Sequence, residues 1–101
     1  MFESIVRQIE SGFHPNKILL FGSYAKSAHH KNSDVDLCIV METEDKRETL
    51  SNMYYDVKAD VPIDFILYTP SEWDECVQDP CSLASHINKE GVILYGRQQE
   101  I

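Results

Sequence analysis

The chain has 101 residues, of which 43% are hydrophobic, and a net charge of −8. This length predicts a single domain, residues 1–101, with a small core of its own. The negative charge excludes a diffuse nucleic-acid binder and disfavours anionic membrane surfaces, because binding to phosphates depends on an excess of Lys and Arg. A cation or a basic partner surface fits this charge better.

The first half of the chain alternates apolar segments of helical and strand character. Apolar spacing and turn residues predict, in chain order, a helix over 2–13, a strand over 17–22, a short helix over 23–29, a polar loop over 30–33, a strand over 34–41 and a helix over 45–58.

The second half begins with a third predicted strand, residues 63–68, and continues with two helix starts. Thr69-Pro70, with Glu72 three residues after Thr69, has the pattern of a capping box. Asp79-Pro80 predicts a second helix, over 80–90, and a last strand is expected over 92–96. The order of elements predicts an α/β (α+β) domain in which helices pack against a small mixed sheet.

Cysteine usage and the lack of long apolar segments indicate a cytoplasmic protein. Cys38 lies in an apolar run and is expected to be a buried thiol, and the three cysteines have no zinc-binding spacing. No segment approaches the roughly 20 apolar residues of a membrane span. The acidic N-terminal segment lacks the layout of a signal peptide.

The strongest chemical signal is the pair Asp34 and Asp36 at the start of the second strand. Side chains two residues apart on a strand point to the same face. Their carboxylates would repel each other by roughly 2–3 kcal/mol at an effective dielectric constant of about 20. A divalent cation converts this repulsion into attraction, and magnesium prefers such oxygen ligands together with phosphates.

Two further features support a metal–phosphate site. Asp64 interrupts an apolar strand, and it can join the first two carboxylates if its strand is a neighbour of theirs. Gly22-Ser23 ends the first strand, where a tight turn and the N-terminus of a following helix would suit a phosphate. A joint site for metal and phosphate would use the two-metal type of catalysis.

Each of these features also has an ordinary structural interpretation. Asp34 and Asp36 could be solvated residues at a loop end, and Asp64 could protect an edge strand from aggregation. Gly22-Ser23 could be a simple turn.

The spacing of Gly22-Ser23, ten residues and Asp34-Val35-Asp36, followed by Asp64 on a later strand, closely resembles the minimal nucleotidyltransferases (MNT) of the DNA polymerase β-like superfamily. The resemblance covers nearly the whole chain and implies the polymerase β-like nucleotidyltransferase fold. It also implies that Gly22 and Ser23 hold the phosphates of ATP and that Asp34 and Asp36 coordinate two magnesium ions. Asp64 would hold the catalytic metal and assist deprotonation of the acceptor hydroxyl.

One position departs from the pattern of many relatives, which have Arg shortly after Gly-Ser. Lys26 is the nearest cation here, and it could contact a phosphate as a point charge without the fork geometry of Arg. A solvated lysine is the alternative. His29 and His30 could flank the nucleotide or lie in a solvated loop.

The resemblance extends to MntA-type antitoxins, which commonly act with a HEPN-domain RNase toxin. It implies transfer of AMP from ATP to a hydroxyl, most simply a tyrosine, of that toxin, in a homo- or hetero-oligomer without direct nucleic-acid binding. Two alternatives remain open: an antitoxin that neutralises its partner by binding alone, and a nucleotidyltransferase of a small molecule such as an aminoglycoside.

Overall fold

The computed structural model describes residues 2–26 and 33–96, which form four helices and four strands. In chain order these are α1 (Glu3–Phe13), β1 (Lys17–Phe21), β2 (Val35–Val40), α2 (Lys46–Asp56), β3 (Ile63–Tyr68), α3 (Pro70–Val77), α4 (Leu83–Glu90) and β4 (Val92–Tyr95). The expected mixed α/β domain is confirmed, and most boundaries agree with the sequence pattern to within two residues.

The four strands form one mixed sheet in the order β3-β2-β1-β4. β1 is antiparallel to both β2 and β4, whereas β2 and β3 are parallel. A parallel pair needs a crossover, and α2 provides it between β2 and β3. β2 is therefore an interior strand, and its first residues lie at the same end of the sheet as the last residues of β1 and the first residues of β3.

Each face of the sheet carries its own core. One face packs against α1 and α2, where the buried residues are Ile5, Ile9, Ile18, Leu20, Val35, Leu37, Ile39, Met41, Met53, Val57, Phe65 and Leu67. The other face packs against α3 and α4, where they are Leu19, Cys38, Val40, Trp73, Val77, Ala84 and Ile87. The alternation along β2 follows from the two-residue period of a strand.

The helix starts show one confirmed prediction and one wrong one. Thr69 and Glu72 form the expected capping box at the start of α3. α4, however, begins at Leu83 rather than at residue 80, with Ser82 as its N-cap. The Asp79 carboxylate instead accepts a hydrogen bond from the N–H of Cys81, at 2.9 Å, and this local turn delays the helix by three residues.

The segment after β1 is described only in part. Residues 22–26 form turns, and the Lys26 N–H donates to the Gly22 carbonyl at 3.3 Å, a spacing of helical type. The remainder of the predicted helix over 23–29, most of the loop over 30–33, and His29 and His30 lie outside the described residues. The last five residues do so as well.

Two further expectations concern burial and membrane association. Cys38 is fully buried, so the predicted buried thiol is confirmed, and this burial raises the pKa of the thiol to about 12. Trp73 lies in the second core with 1% exposure. Within residues 2–26 and 33–96, none of the helices has the length and apolar character to cross a membrane.

Candidate active site

The parallel pairing of β2 and β3 brings two of the predicted carboxylates side by side. Asp36 is the direct partner of Asp64 in the register of the two strands. Residues in register on adjacent strands point to the same face of a sheet, and adjacent strands lie about 4.8 Å apart. The sequence-based condition that Asp64 lie on a neighbouring strand is therefore met, and the two side chains extend from one face.

Asp34 completes this group from the residue before β2. The N–H of Val35 donates to the carbonyl of Pro62 at 2.9 Å, so the ladder between the two segments already begins next to Asp34. Asp34 and Asp64 are exposed, whereas Asp36 is half-buried. The three aspartates thus share one end of the sheet, with Asp36 on the interior side.

Gly22 lies directly against the Asp36 side chain. Its backbone has a φ of +75°, which residues with a side chain rarely adopt. A Cβ placed on Gly22 would overlap a carboxylate oxygen of Asp36 and would lie 3.0 Å from its Cγ. The bend that ends β1 and the aspartate pair therefore belong to one site, and glycine is the residue that permits this close approach.

The site opens beside the second core. By strand alternation, Asp36 shares its face with Cys38 and Val40, and Asp64 shares its face with Ile66 and Tyr68. These later residues of both strands pack in the second core with α3 and α4. The carboxylates lie before them on the same face, where Asp64 is exposed and Asp36 is half-buried.

Electrostatic interactions agree with this grouping. Burial raises the pKa of the Asp36 carboxyl above its usual value, and the nearby charges of Asp64 and Asp34 raise it further. Each of these causes disfavours the ionised form of Asp36. A bound cation would remove the repulsion between the carboxylates and would favour ionisation.

The donor set fits magnesium in its chemistry, since it consists of carboxylate oxygens with room for phosphate oxygens beside them. Within the described part of the chain, however, no group of three or more His, Cys, Asp or Glu side chains is arranged to hold a metal ion. Asp34, Asp36 and Asp64 share one end of the sheet without converging on one point. The predicted three-carboxylate metal site therefore remains a prediction, supported by register and by charge.

The other predicted ligand residues lie on the bend itself. Ser23 is half-buried directly after Gly22, and Lys26 is exposed three residues further on. Tyr24 packs its ring against Phe2 of the N-terminal segment, with centroids 6.0 Å apart. The bend is therefore fixed to the α1 side of the molecule, and its exposed side is left to Ser23 and Lys26.

One residue beside the carboxylates was not singled out by sequence reasoning. Phe21 is the register partner of Asp36 on β1, so a row Phe21–Asp36–Asp64 runs across the sheet. The apolar residue before Gly22 could have indicated it. On the opposite face of the sheet, the hydroxyl of Tyr54 of α2 accepts a hydrogen bond from the N–H of Phe65, at 3.0 Å, on the outer edge of β3.

Two solved structures resemble this fold. A candidate nucleotidyltransferase from Sulfolobus solfataricus superposes with a TM-score of 0.61 at 19% identity, over 96% of this chain and 78% of its own. A structure described as a toxin–antitoxin with AMP-PNP superposes with a TM-score of 0.60 at 23% identity, over 95% of this chain and 73% of its own. At these identities the likeness shows the fold alone. No curated protein gave a significant match.

The sequence itself matches a family model. The model described as the nucleotidyltransferase domain matches residues 1–94. This match confirms, at the level of the family, the resemblance noted from Gly22, Ser23 and the aspartates, while the minimal branch stays a prediction. The chain therefore belongs to the nucleotidyltransferase domain family.

Proposed function

We propose that this protein is a magnesium-dependent nucleotidyltransferase that transfers AMP from ATP to a hydroxyl group, most simply a tyrosine, of a partner HEPN RNase toxin, and so acts as its antitoxin. The observation that carries the proposal is the register of Asp36 and Asp64 on parallel strands, with Gly22 against Asp36. Membership of the nucleotidyltransferase domain family supports the reaction class. The structural neighbour described as a toxin–antitoxin with AMP-PNP supports the nucleotide and the type of partner.

Each residue would act according to its position. The backbone of Gly22 allows phosphates to approach Asp36 closely, and the hydroxyl of Ser23 donates to a phosphate oxygen. Asp34, Asp36 and Asp64 would hold magnesium, which supplies charge neutralisation for the phosphates. The acceptor oxygen bonds to the α-phosphorus, the bond to the bridging oxygen breaks, and pyrophosphate leaves. Asp64, which is exposed, would assist deprotonation of the acceptor hydroxyl by accepting its proton.

The acidity of the chain supports a protein partner with a basic surface. The net charge is −8, and complementary charges mainly accelerate association and select the partner.

The direct test is co-expression with a HEPN protein from the adjacent reading frame, followed by intact-mass measurement of that protein. We expect one or more AMP additions with the unchanged chain and none with Asp36→Asn. Asp56→Asn is the matched control, because it makes the same chemical change at an exposed residue of α2, on the opposite side of the sheet, and should leave transfer unchanged.

Two outcomes would contradict the proposal. Full protection of cells by Asp36→Asn, without AMP on the partner, would establish neutralisation by binding alone. AMP transfer that persists in Asp36→Asn would remove the aspartate pair from the chemistry. Fragmentation of the modified partner would identify the acceptor residue.

A further inference from the structure

We propose that the outer edge of β3 binds an extended segment of the acceptor polypeptide as a fifth strand and so presents an acceptor side chain beside Asp64. This inference rests on the proposed function in one respect, namely that the bound segment belongs to the acceptor of AMP. The binding surface itself is defined by the strand edge and by the groove next to it.

The hydrogen-bonding groups of β3 define which residues face outward. The carbonyls of Pro62 and Tyr68 accept from Val35 and Met41, so even-numbered residues of this segment direct their backbone groups towards β2. Ile63, Phe65 and Leu67 therefore direct theirs outward. β3 is an edge strand, and within the described residues no strand pairs with that side. Such a row of backbone groups is a template for another strand.

A groove follows the same edge. Its volume is about 190 Å³, and it is lined by Tyr54, Val57, Ala59, Val61, Ile63 and Phe65. Tyr54 is half exposed and occupies the edge only through its hydroxyl, which accepts from the Phe65 N–H. An incoming strand could replace this hydroxyl with a carbonyl and place alternate side chains in the groove.

The row of side chains across the sheet explains why this edge suits an acceptor. Phe21, Asp36 and Asp64 stand side by side on successive strands. A fifth strand would lie about 4.8 Å beyond β3, so its residue in register with Asp64 would be the next member of the row, on the same face. A hydroxyl side chain at that position would lie next to the carboxylate proposed to take its proton.

Charge favours a basic segment. Between the end of α2 and the start of β3, the chain exposes Asp60 and Asp64 against one cation, Lys58. This local excess of negative charge agrees with the net charge of the whole chain. The strand edge, the groove and the charge together therefore favour one ligand, an extended, basic polypeptide segment with a hydroxyl side chain.

The test uses a fluorescent synthetic peptide with a central tyrosine, alternating valine and threonine, and a lysine at each end. A matched peptide has the same side chains but carries N-methyl groups on alternate backbone nitrogens along one edge. We expect the first peptide to bind to the full chain in fluorescence anisotropy, and N-methylation on the pairing edge to weaken binding about tenfold, because it removes the main-chain donors.

Two variants of the protein should change binding in opposite directions. Ile63→Pro removes an outward N–H at the first residue of an edge strand, where proline is tolerated, and should weaken binding several-fold. Ile63→Val is its matched control for the loss of side-chain volume, and Ile63→Pro should bind several-fold more weakly than Ile63→Val. Tyr54→Phe keeps the ring contact with Phe65, whose centroid is 5.0 Å away, but releases the Phe65 N–H and should tighten binding.

The outcomes separate this inference from the proposed function. Absence of peptide binding, or equal binding of the N-methylated peptide, overturns edge pairing, even if AMP transfer to a partner protein is observed. Edge-dependent binding without AMP transfer from magnesium-ATP supports the docking edge and counts against the proposed reaction. Self-association that Ile63→Pro abolishes would assign the edge to a second copy of the chain and would overturn the inference.

Discussion

Replacing Asp36 with Asn should make the protein more stable while abolishing nucleotidyl transfer. Asp36 is half-buried, and its pKa is raised by burial and by the charges of Asp64 and Asp34. The folded state therefore carries an unfavourable ionised carboxylate at neutral pH. Asn keeps the size of the side chain and removes the charge.

The magnitude follows from the register of the two strands. Asp36 and Asp64 are direct partners, so their carboxylates are about 5 Å apart if the side chains run parallel. Two charges at that distance repel by about 3 kcal/mol at an effective dielectric constant of 20 and by less than about 1 kcal/mol in water. Because Asp64 is exposed, we expect a gain near the lower figure, about 1 kcal/mol. For a domain of this size that gain corresponds to a rise in Tm of about 4–8 °C.

Thermal denaturation with and without magnesium and ATP is the assay. Asp36→Asn should raise Tm in buffer alone, and magnesium-ATP should stabilise the unchanged protein but not the variant. Asp56→Asn should behave like the unchanged protein in its response to magnesium-ATP.

The pH dependence provides a second check on the same variant. Because the folded pKa of Asp36 is raised, the folded state binds this proton more tightly than the unfolded state. The stabilisation that this proton provides is therefore lost as pH rises from the pKa of Asp36 in the unfolded state through its pKa in the folded state. The advantage of Asp36→Asn should be largest above that window and should diminish in acid. A variant that is less stable at neutral pH, or that still responds to magnesium-ATP, would contradict the electrostatic account of the site.

Three further predictions test the bend and the helix packing. Gly22→Ala should lower the free energy of unfolding by at least about 1 kcal/mol and abolish ATP-dependent stabilisation, because Gly22 has a positive φ and contacts Asp36. Gly12→Ala is the control in the same thermal denaturation experiments. Since Gly12 lies in open space on α1, this variant should instead be more stable by about 0.5–1 kcal/mol. The pKa of Glu72 is lowered by its hydrogen bonds with the Thr69 N–H and with Lys46. Glu72→Gln should therefore have a lower Tm than the unchanged protein at neutral pH, and this difference should vanish as pH falls below 4.5, the ordinary pKa of a glutamate. Trp73→Ala should cost about 3–5 kcal/mol in denaturant unfolding, since the side chain is 1% exposed; a loss below about 1 kcal/mol would remove it from the core.

Local sequence signals predicted the helices and strands because each element has a clear period and clear ends. The amphipathic spacing of α1, the apolar run of β1 and the Thr69–Glu72 pattern of α3 are all local features. The start of α4 was predicted too early because Asp79 and Ser82 both have capping side chains, and only the folded chain shows that Ser82 is the one used.

The sequence predicted the candidate site only on the condition that the strand of Asp64 lies next to that of Asp36. The spacing between Gly22 and Asp36 indicated a bend near a carboxylate pair, but the neighbour of Asp36 depended on strand order. That order is set by the crossover through α2 and by pairing between segments far apart in sequence. The edge position of β3 and its contact with Tyr54 could not be predicted from the sequence for the same reason, because the order of all the strands decides which one lies at an edge.

The alignment of Asp36 with Asp64 is held by main-chain ladders rather than by side-chain packing. Substitutions in the surrounding helices should therefore have little effect on the distance between Asp36 and Asp64. This would account for folds that superpose at TM-scores of 0.60–0.61 while sharing only 19–23% of their residues with this chain. Grafting different outer helices onto this sheet should preserve the spacing of the acids and change mainly what can reach them.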